Sequence, residues 1–97
     1  MVWASWTTPG VFAGRGGART DEAGVVTGDL TVHTTWDGNV ADVTVQYTGT
    51  SEWFTVTGSP VPCHSERQSR NLHQAVVAAV RAGGGVTVDQ GLVRETT

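Results

Sequence analysis

The sequence predicts an α+β fold. It reads as an antiparallel β-sheet of about four strands in the order β-β-β-α-β, with one α-helix packed on one face as a two-layer sandwich and room for a short fifth strand. Three observations lead there. Between Leu30 and Gly58, three stretches alternate apolar and polar residues with the period of a half-buried strand. Turn-forming dipeptides separate those stretches. After Ser65 the spacing of apolar residues becomes helical, and it stops at Gly83-Gly84-Gly85.

Taken in order, residues 1–24 read as an N-terminal arm, flexible or partly docked, and residues 25–97 as a single α+β domain. The arm carries Trp3, Trp6, Val11 and Phe12 among Pro9, Gly10, Gly14, Gly16 and Gly17, with no sustained period. Glycine loses more entropy on ordering than other residues, so Gly14 to Gly24 reads as a linker. Free tails seldom hold tryptophan. Trp3 and Trp6 are therefore expected to fold back on apolar surface or to meet another chain.

Leu30, Val32, Thr34 and Trp36 then alternate with Thr31, His33 and Thr35. Asp37-Gly38 suits a two-residue type I′ turn, which pairs Trp36 with Asn39, Val32 with Val43 and Leu30 with Val45. The next run sets Val43, Val45 and Tyr47 against Asp42, Thr44 and Gln46. A turn at Gly49-Thr50 pairs Val45 with Phe54 and Val43 with Val56. Both turns bring Leu30, Val32, Val43, Val45, Phe54 and Val56 to one face, and a one-residue slip would scatter them. Ser59-Pro60-Val61-Pro62 ends the third run, since proline donates nothing to a ladder.

Ser65 and Gln68 form a capping box at a helix start. Leu72, Ala75, Val76, Ala79 and Val80 make the apolar stripe, and the glycines supply the left-handed stop. Val86 to Val88 reads as the fourth strand and Asp89-Gln90-Gly91 as a turn before Leu92-Val93, with Glu95 to Thr97 fraying.

Composition narrows the function classes. The chain has 97 residues, six basic and nine acidic side chains and a net charge of −3. It has no apolar run of about 18 residues to cross a membrane and no basic, apolar leader, so a cytoplasmic location is expected. The acidic balance disfavours a dedicated nucleic-acid binder. One cysteine makes no internal disulfide. Cys63, His64 and His73 lack regular ligand spacing, so neither a metal nor another cofactor is expected.

Several constellations could carry chemistry. The predicted register gives the sheet face away from the helix His33, Asp42, Thr44, Gln46, Trp53 and Thr55, with His33 opposite Asp42 and Gln46 opposite Trp53. That surface could seat a partner, although a wet, threonine-rich face is ordinary in antiparallel sheets. His33 with Asp42 has the outline of a base and its orienting carboxylate, but only threonine hydroxyls lie near. Arg67, Arg70 and Arg81 mark an outer helix face for phosphates or an acidic partner. Cys63-His64 precedes the helix, where a thiolate would be favoured; a small buried cysteine is the commoner case. The expected function is a small non-catalytic protein-interaction or regulatory module of adaptor, accessory-subunit, immunity or inhibitor type. It would use the open Thr/Trp face and the aromatic arm, with another protein or a second copy as partner and no membrane. The alternative is a nucleic-acid-binding module using the helix arginines and the sheet; a small Cys/His enzyme ranks third.

Overall fold

The computed structural model describes residues 3–89. In chain order the elements are β1 (Ala4–Phe12), β2 (Ala18–Thr20), β3 (Gly24–Val26), β4 (Asp29–Trp36), β5 (Val40–Tyr47), β6 (Phe54–Thr55), β7 (Val61–Pro62) and α1 (Glu66–Ala82). Pairing in the main sheet runs β1-β4-β5-β6, with β7 also on β5. The fold is α+β, an antiparallel sheet with α1 against one face.

The alternation of β4 and β5 does what its period requires. Leu30, Val32, Thr34 and Trp36 of β4 and Ala41, Val43 and Val45 of β5 are buried, and they meet Leu72, Val76 and Val80 of α1 in one core. The register of this hairpin differs from the expected one by two residues. The Asp37 carboxylate accepts from the N–H groups of Asn39 and Val40, both at 2.8 Å. The side chain thus closes a turn centred on Gly38-Asn39, one step later than expected, with the Asp37 N–H on the Val40 carbonyl at 3.2 Å. Trp36 consequently faces Ala41, Val32 faces Val45, and Leu30 faces Tyr47. An even shift leaves every side chain on its intended face. The second hairpin has the expected register, with Val45 opposite Phe54 and the Val56 N–H on the Val43 carbonyl at 2.9 Å.

The N-terminal stretch is a strand of the sheet. β1 pairs antiparallel with β4 from Ala4–Trp36 to Phe12–Asp29. Ala4, Trp6 and Thr8 alternate with the more exposed Ser5, Thr7 and Pro9. This alternation is carried largely by Ser, Thr and Trp, so it has little hydrophobic contrast to read. A bulge between Thr8 and Val11 breaks it further, three steps on β1 spanning two on β4.

The glycines that suggested a linker make a backbone seam. The N–H groups of Gly14 and Gly16 donate to the carbonyls of Val80 and Gly83 at 3.0 and 2.7 Å, satisfying two acceptors at the C-terminus of α1. A Cβ on Gly14 would lie 2.8 Å from the Arg81 carbonyl oxygen, and one on Gly16 would overlap that of Gly83. The chain then forms the β2-β3 hairpin, tied to the rest by a Thr20–Val56 bridge. Val86 to Val88, expected as a fourth strand, gives a parallel bridge of Val86 with Ala18 and a Val88 N–H on the Thr57 carbonyl at 2.8 Å. Residues 90–97, including the Leu92-Val93 segment, lie outside the described residues.

Helix α1 begins and ends as its sequence predicts. Ser65 accepts from the Gln68 N–H at 3.1 Å, and Gly83 closes the helix in the left-handed region with φ 77°. Gly16→Ala is expected to lower stability by at least ~2 kcal/mol. Gly84→Ala, whose added methyl meets nothing within 4 Å, should stay within about 1 kcal/mol of wild type. Urea unfolding of the two variants checks this.

Candidate functional site

Two surfaces flank the core, and different elements build them. The face away from α1 carries Thr7 of β1, His33 of β4 and Thr44 of β5 in one row, extended by Thr55 of β6. Ser5, Thr35 and Asp42 form a second row, and Thr31 faces Gln46. The shifted turn places Asp42 opposite Thr35, so the expected His33–Asp42 cross-strand pair does not form. His33 instead makes a 2.6 Å hydrogen bond through Nδ1 to the Thr7 hydroxyl. Its ring lies 5.4 Å from that of Trp53, tilted by 46°. Trp53, 41% exposed, thus leans on His33, and Gln46 has Thr31 across the ladder.

Part of this face is engaged internally. Glu22, in the turn between β2 and β3, accepts from the Thr55 N–H at 2.7 Å and its hydroxyl at 2.8 Å. These bonds hold the Glu22 carboxyl below its ordinary pKa. Asp21 accepts from the Thr57 hydroxyl at 2.9 Å. Asp42 remains exposed on this face, with Thr35 and Gln46 half-buried.

The second surface runs along β1. It is an edge strand, with β4 on one side and no strand on the other among the described residues. Trp3, 63% exposed, lies edge-on to Trp36 with ring centroids 5.6 Å apart. Trp6, half-buried, donates from Nε1 to the Ser69 hydroxyl at 3.1 Å. Two residues on, Thr8 hydrogen-bonds His73 Nε2 at 2.8 Å. Two strand residues span about 6.7 Å, and the four helix residues from Ser69 to His73 about 6 Å. Strand and helix therefore run side by side in the same direction and in step.

His73 also hydrogen-bonds the buried Thr34 hydroxyl through Nδ1 at 2.8 Å. Either neutral tautomer satisfies both threonines, because a hydroxyl both donates and accepts. Burial, with a smaller contribution from His33, brings the His73 pKa down to about 4. Neither His73 nor Ser69 figured among the expected site residues. Both fall on the buried stripe of α1, and a polar residue on such a stripe is the signal that finds them.

Successive helix positions are about 100° apart, which gathers Arg67, Arg70, Gln74, Ala78 and Arg81 on one flank. The other flank presents the uncharged Gln68, Ala75, Ala79 and Ala82. The arginine flank is the one beside β1. A hollow of ≈ 140 Å³ is lined by Trp6, Glu66, Arg67 and Arg70. A second, of ≈ 270 Å³, is lined by Thr8, His73, Gln74, Val77, Ala78 and Arg81. The two lie in succession along the β1–α1 groove. A wider cleft of ≈ 450 Å³ sits at the glycine seam with Arg15 and Arg19.

Cys63 is fully buried and its thiol is raised by burial, while His64 is exposed. The thiol lacks the access and the thiolate character that a nucleophile or redox sensor requires. Its backbone is structural: the Cys63 carbonyl accepts from Trp36 Nε1 at 2.9 Å. Among the described residues no three His, Cys, Asp or Glu side chains gather to hold a metal, and no helix is long and apolar enough to cross a membrane. Against known protein families, curated proteins and solved structures the chain has no significant match.

Because native His73 refuses a proton until about pH 4 and the unfolded imidazole accepts one near 6.5, the unfolded state binds more protons between those values. Stability is thus full above about pH 6.5 and falls as the pH drops toward about 4, by on the order of 3 kcal/mol. Glu22 adds a loss of the same sign below its unfolded pKa. Urea midpoints recorded against pH should show the decline. His73→Leu should flatten it between pH 6.5 and 4 while lowering stability at neutral pH, since it strands the Thr8 and Thr34 hydroxyls.

Proposed function

We propose that this chain is a small non-catalytic protein-interaction or regulatory module of the adaptor, accessory-subunit, immunity or inhibitor kind. It binds a partner through the aromatic strand β1 and the adjoining Thr/Trp face of the sheet. The observation that carries the reading is the edge of β1, on which no strand lies among the described residues. An unpaired strand edge offers a row of backbone donors and acceptors to another chain, and proteins usually cover or blunt such edges. Here a single bulge at Pro9-Gly10 interrupts a nine-residue strand, Trp6 reaches from it to α1, and Trp3 packs on Trp36 just before it. Aromatic side chains of this kind anchor interfaces because they bury much area at small entropic cost. Around the corner of the sheet, Thr7 and His33 connect the edge to Trp53.

The nucleic-acid alternative rests on Arg67, Arg70 and Arg81. They occupy one flank of a helix in a chain of net charge −3, where a phosphate-binding surface is usually broad and basic. Protein binding is the better supported of the two.

Capture from a lysate of the native host, on immobilised wild type beside Trp53→Ala, tests the function. A retained protein should protect the amides of β1 from hydrogen exchange. Nuclease-sensitive material alone, or protection confined to surfaces away from β1 and Trp53, would overturn it. Trp53→Ala should weaken capture and lower stability by no more than about 1.5 kcal/mol, the worth of an aromatic contact; thermal unfolding measures the second quantity.

A further inference from the structure

We infer that the groove between β1 and α1 takes an extended, acidic peptide segment, which adds to the sheet as a strand on the free edge of β1 and sets its carboxylates on Arg67, Arg70 and Arg81. The inference rests on the protein-interaction reading and names the partner's chemistry.

Geometry supplies the shape. An edge strand lying parallel to a helix, in step through the Trp6–Ser69 and Thr8–His73 contacts, leaves a groove marked by two hollows. Strand addition beside such a groove takes affinity from main-chain hydrogen bonds and selectivity from alternate side chains that reach into it. The two successive hollows, at Trp6 and at Thr8, are where those side chains would lie. The floor is partly apolar, with the Trp6 ring and Val77, and polar where Thr8 and His73 meet.

Charge supplies the identity. All three arginines of α1 lie on the groove flank, exposed, and none is paired with a carboxylate among the described residues. Glu66 is the one acidic side chain lining either hollow. Of the other seven described acidic groups, Asp29 faces Phe12 at the far end of β1, and four have places away from the groove. Asp21 and Glu22 hold the β2-β3 turn to Thr57 and Thr55, Asp37 closes the β4-β5 turn, and Asp42 is on the opposite face. An overall acidic protein thus presents its helix cations in a single row beside an open strand edge. Arginine favours carboxylates through paired, charge-assisted hydrogen bonds.

The row also sets a spacing. Arg67 and Arg81 are separated by about 21 Å along α1, which is about six residues of extended chain. An even separation places both ligand side chains on the same face of the added strand, so carboxylates at i and i+6 reach both ends, with Arg70 available to a carboxylate at i+2. A second copy is a poorer occupant. In a two-fold antiparallel β1–β1 pairing the same surface meets itself, bringing the two arginine flanks toward each other.

The test uses the full chain and short fluorescent peptides in extended, soluble sequence. One alternates Glu and Thr, a second Ser and Thr, a third Lys and Thr, and a fourth is the Glu/Thr peptide with alternate amides N-methylated. Fluorescence anisotropy should show the Glu/Thr peptide binding at least about tenfold more tightly than the Ser/Thr peptide, with no binding of the Lys/Thr or N-methylated peptides. Arg67→Glu with Arg70→Glu, both exposed positions, should remove that preference and leave the thermal unfolding midpoint close to wild type. Equal binding of the Glu/Thr and Ser/Thr peptides would overturn the acidic specificity while leaving strand addition and the protein-interaction reading in place. Absence of any peptide binding, with Trp53-dependent capture of a protein retained, would overturn the groove alone. Light scattering that shows a dimer lost on addition of charge to β1, or duplex DNA binding more tightly than the Glu/Thr peptide, would replace the proposed occupant with a second copy or a nucleic acid.

Discussion

A neutral imidazole lies between two threonine hydroxyls where the helix meets the sheet. His73 hydrogen-bonds Thr8 on the edge strand and Thr34 on the strand beside it, so one side chain of α1 ties together β1, β4 and the helix. A buried polar group is stabilising only when its hydrogen-bonding capacity is met, and its loss leaves partners that are costly to strand. The same arrangement fixes how far α1 stands from β1 and in which axial position. The groove, the row of arginines beside it and the free edge are consequences of that placement.

The C-terminal end of the helix is held by a different kind of contact. Where Gly14 and Gly16 cross Gly83, backbone touches backbone and no side chain intervenes. The loop's N–H groups satisfy carbonyls that a helix end would otherwise leave to water. The glycine-rich stretch therefore anchors β1 to α1 at its far end, as His73 does nearer the middle. Together they turn a potential tail into an edge strand with a defined neighbour.

Electrostatics adds direction to this frame. Three acidic residues brace turns and their neighbours: Asp37 closes one loop, Glu22 holds Thr55 and Asp21 holds Thr57. The helix arginines are left on the surface beside β1. Net charge alone therefore describes this molecule poorly, because its two signs are employed on different sides and for different purposes.

Much of the architecture was legible in the amino-acid order. Strand alternation determined which residues of β4 and β5 turn inward, and that survived an error of two in the first hairpin, because side-chain direction repeats every two residues. The capping box and the Gly83 stop bounded the helix, since both act through neighbouring backbone groups. The strand character of residues 4–12 was hidden: serine, threonine and tryptophan give little hydrophobic contrast, and a bulge resets the phase. The candidate site was legible only in part. Trp6, Arg67, Arg70 and Arg81 could be singled out, but their meeting along one groove depends on the helix lying parallel to an edge strand some sixty residues distant in the chain. Local sequence determines what local forces decide, namely period, caps and turn residues. The groove, the buried His73 and the parting of His33 from Asp42 were decided by tertiary contacts, because they depend on register and packing between segments that no local pattern couples.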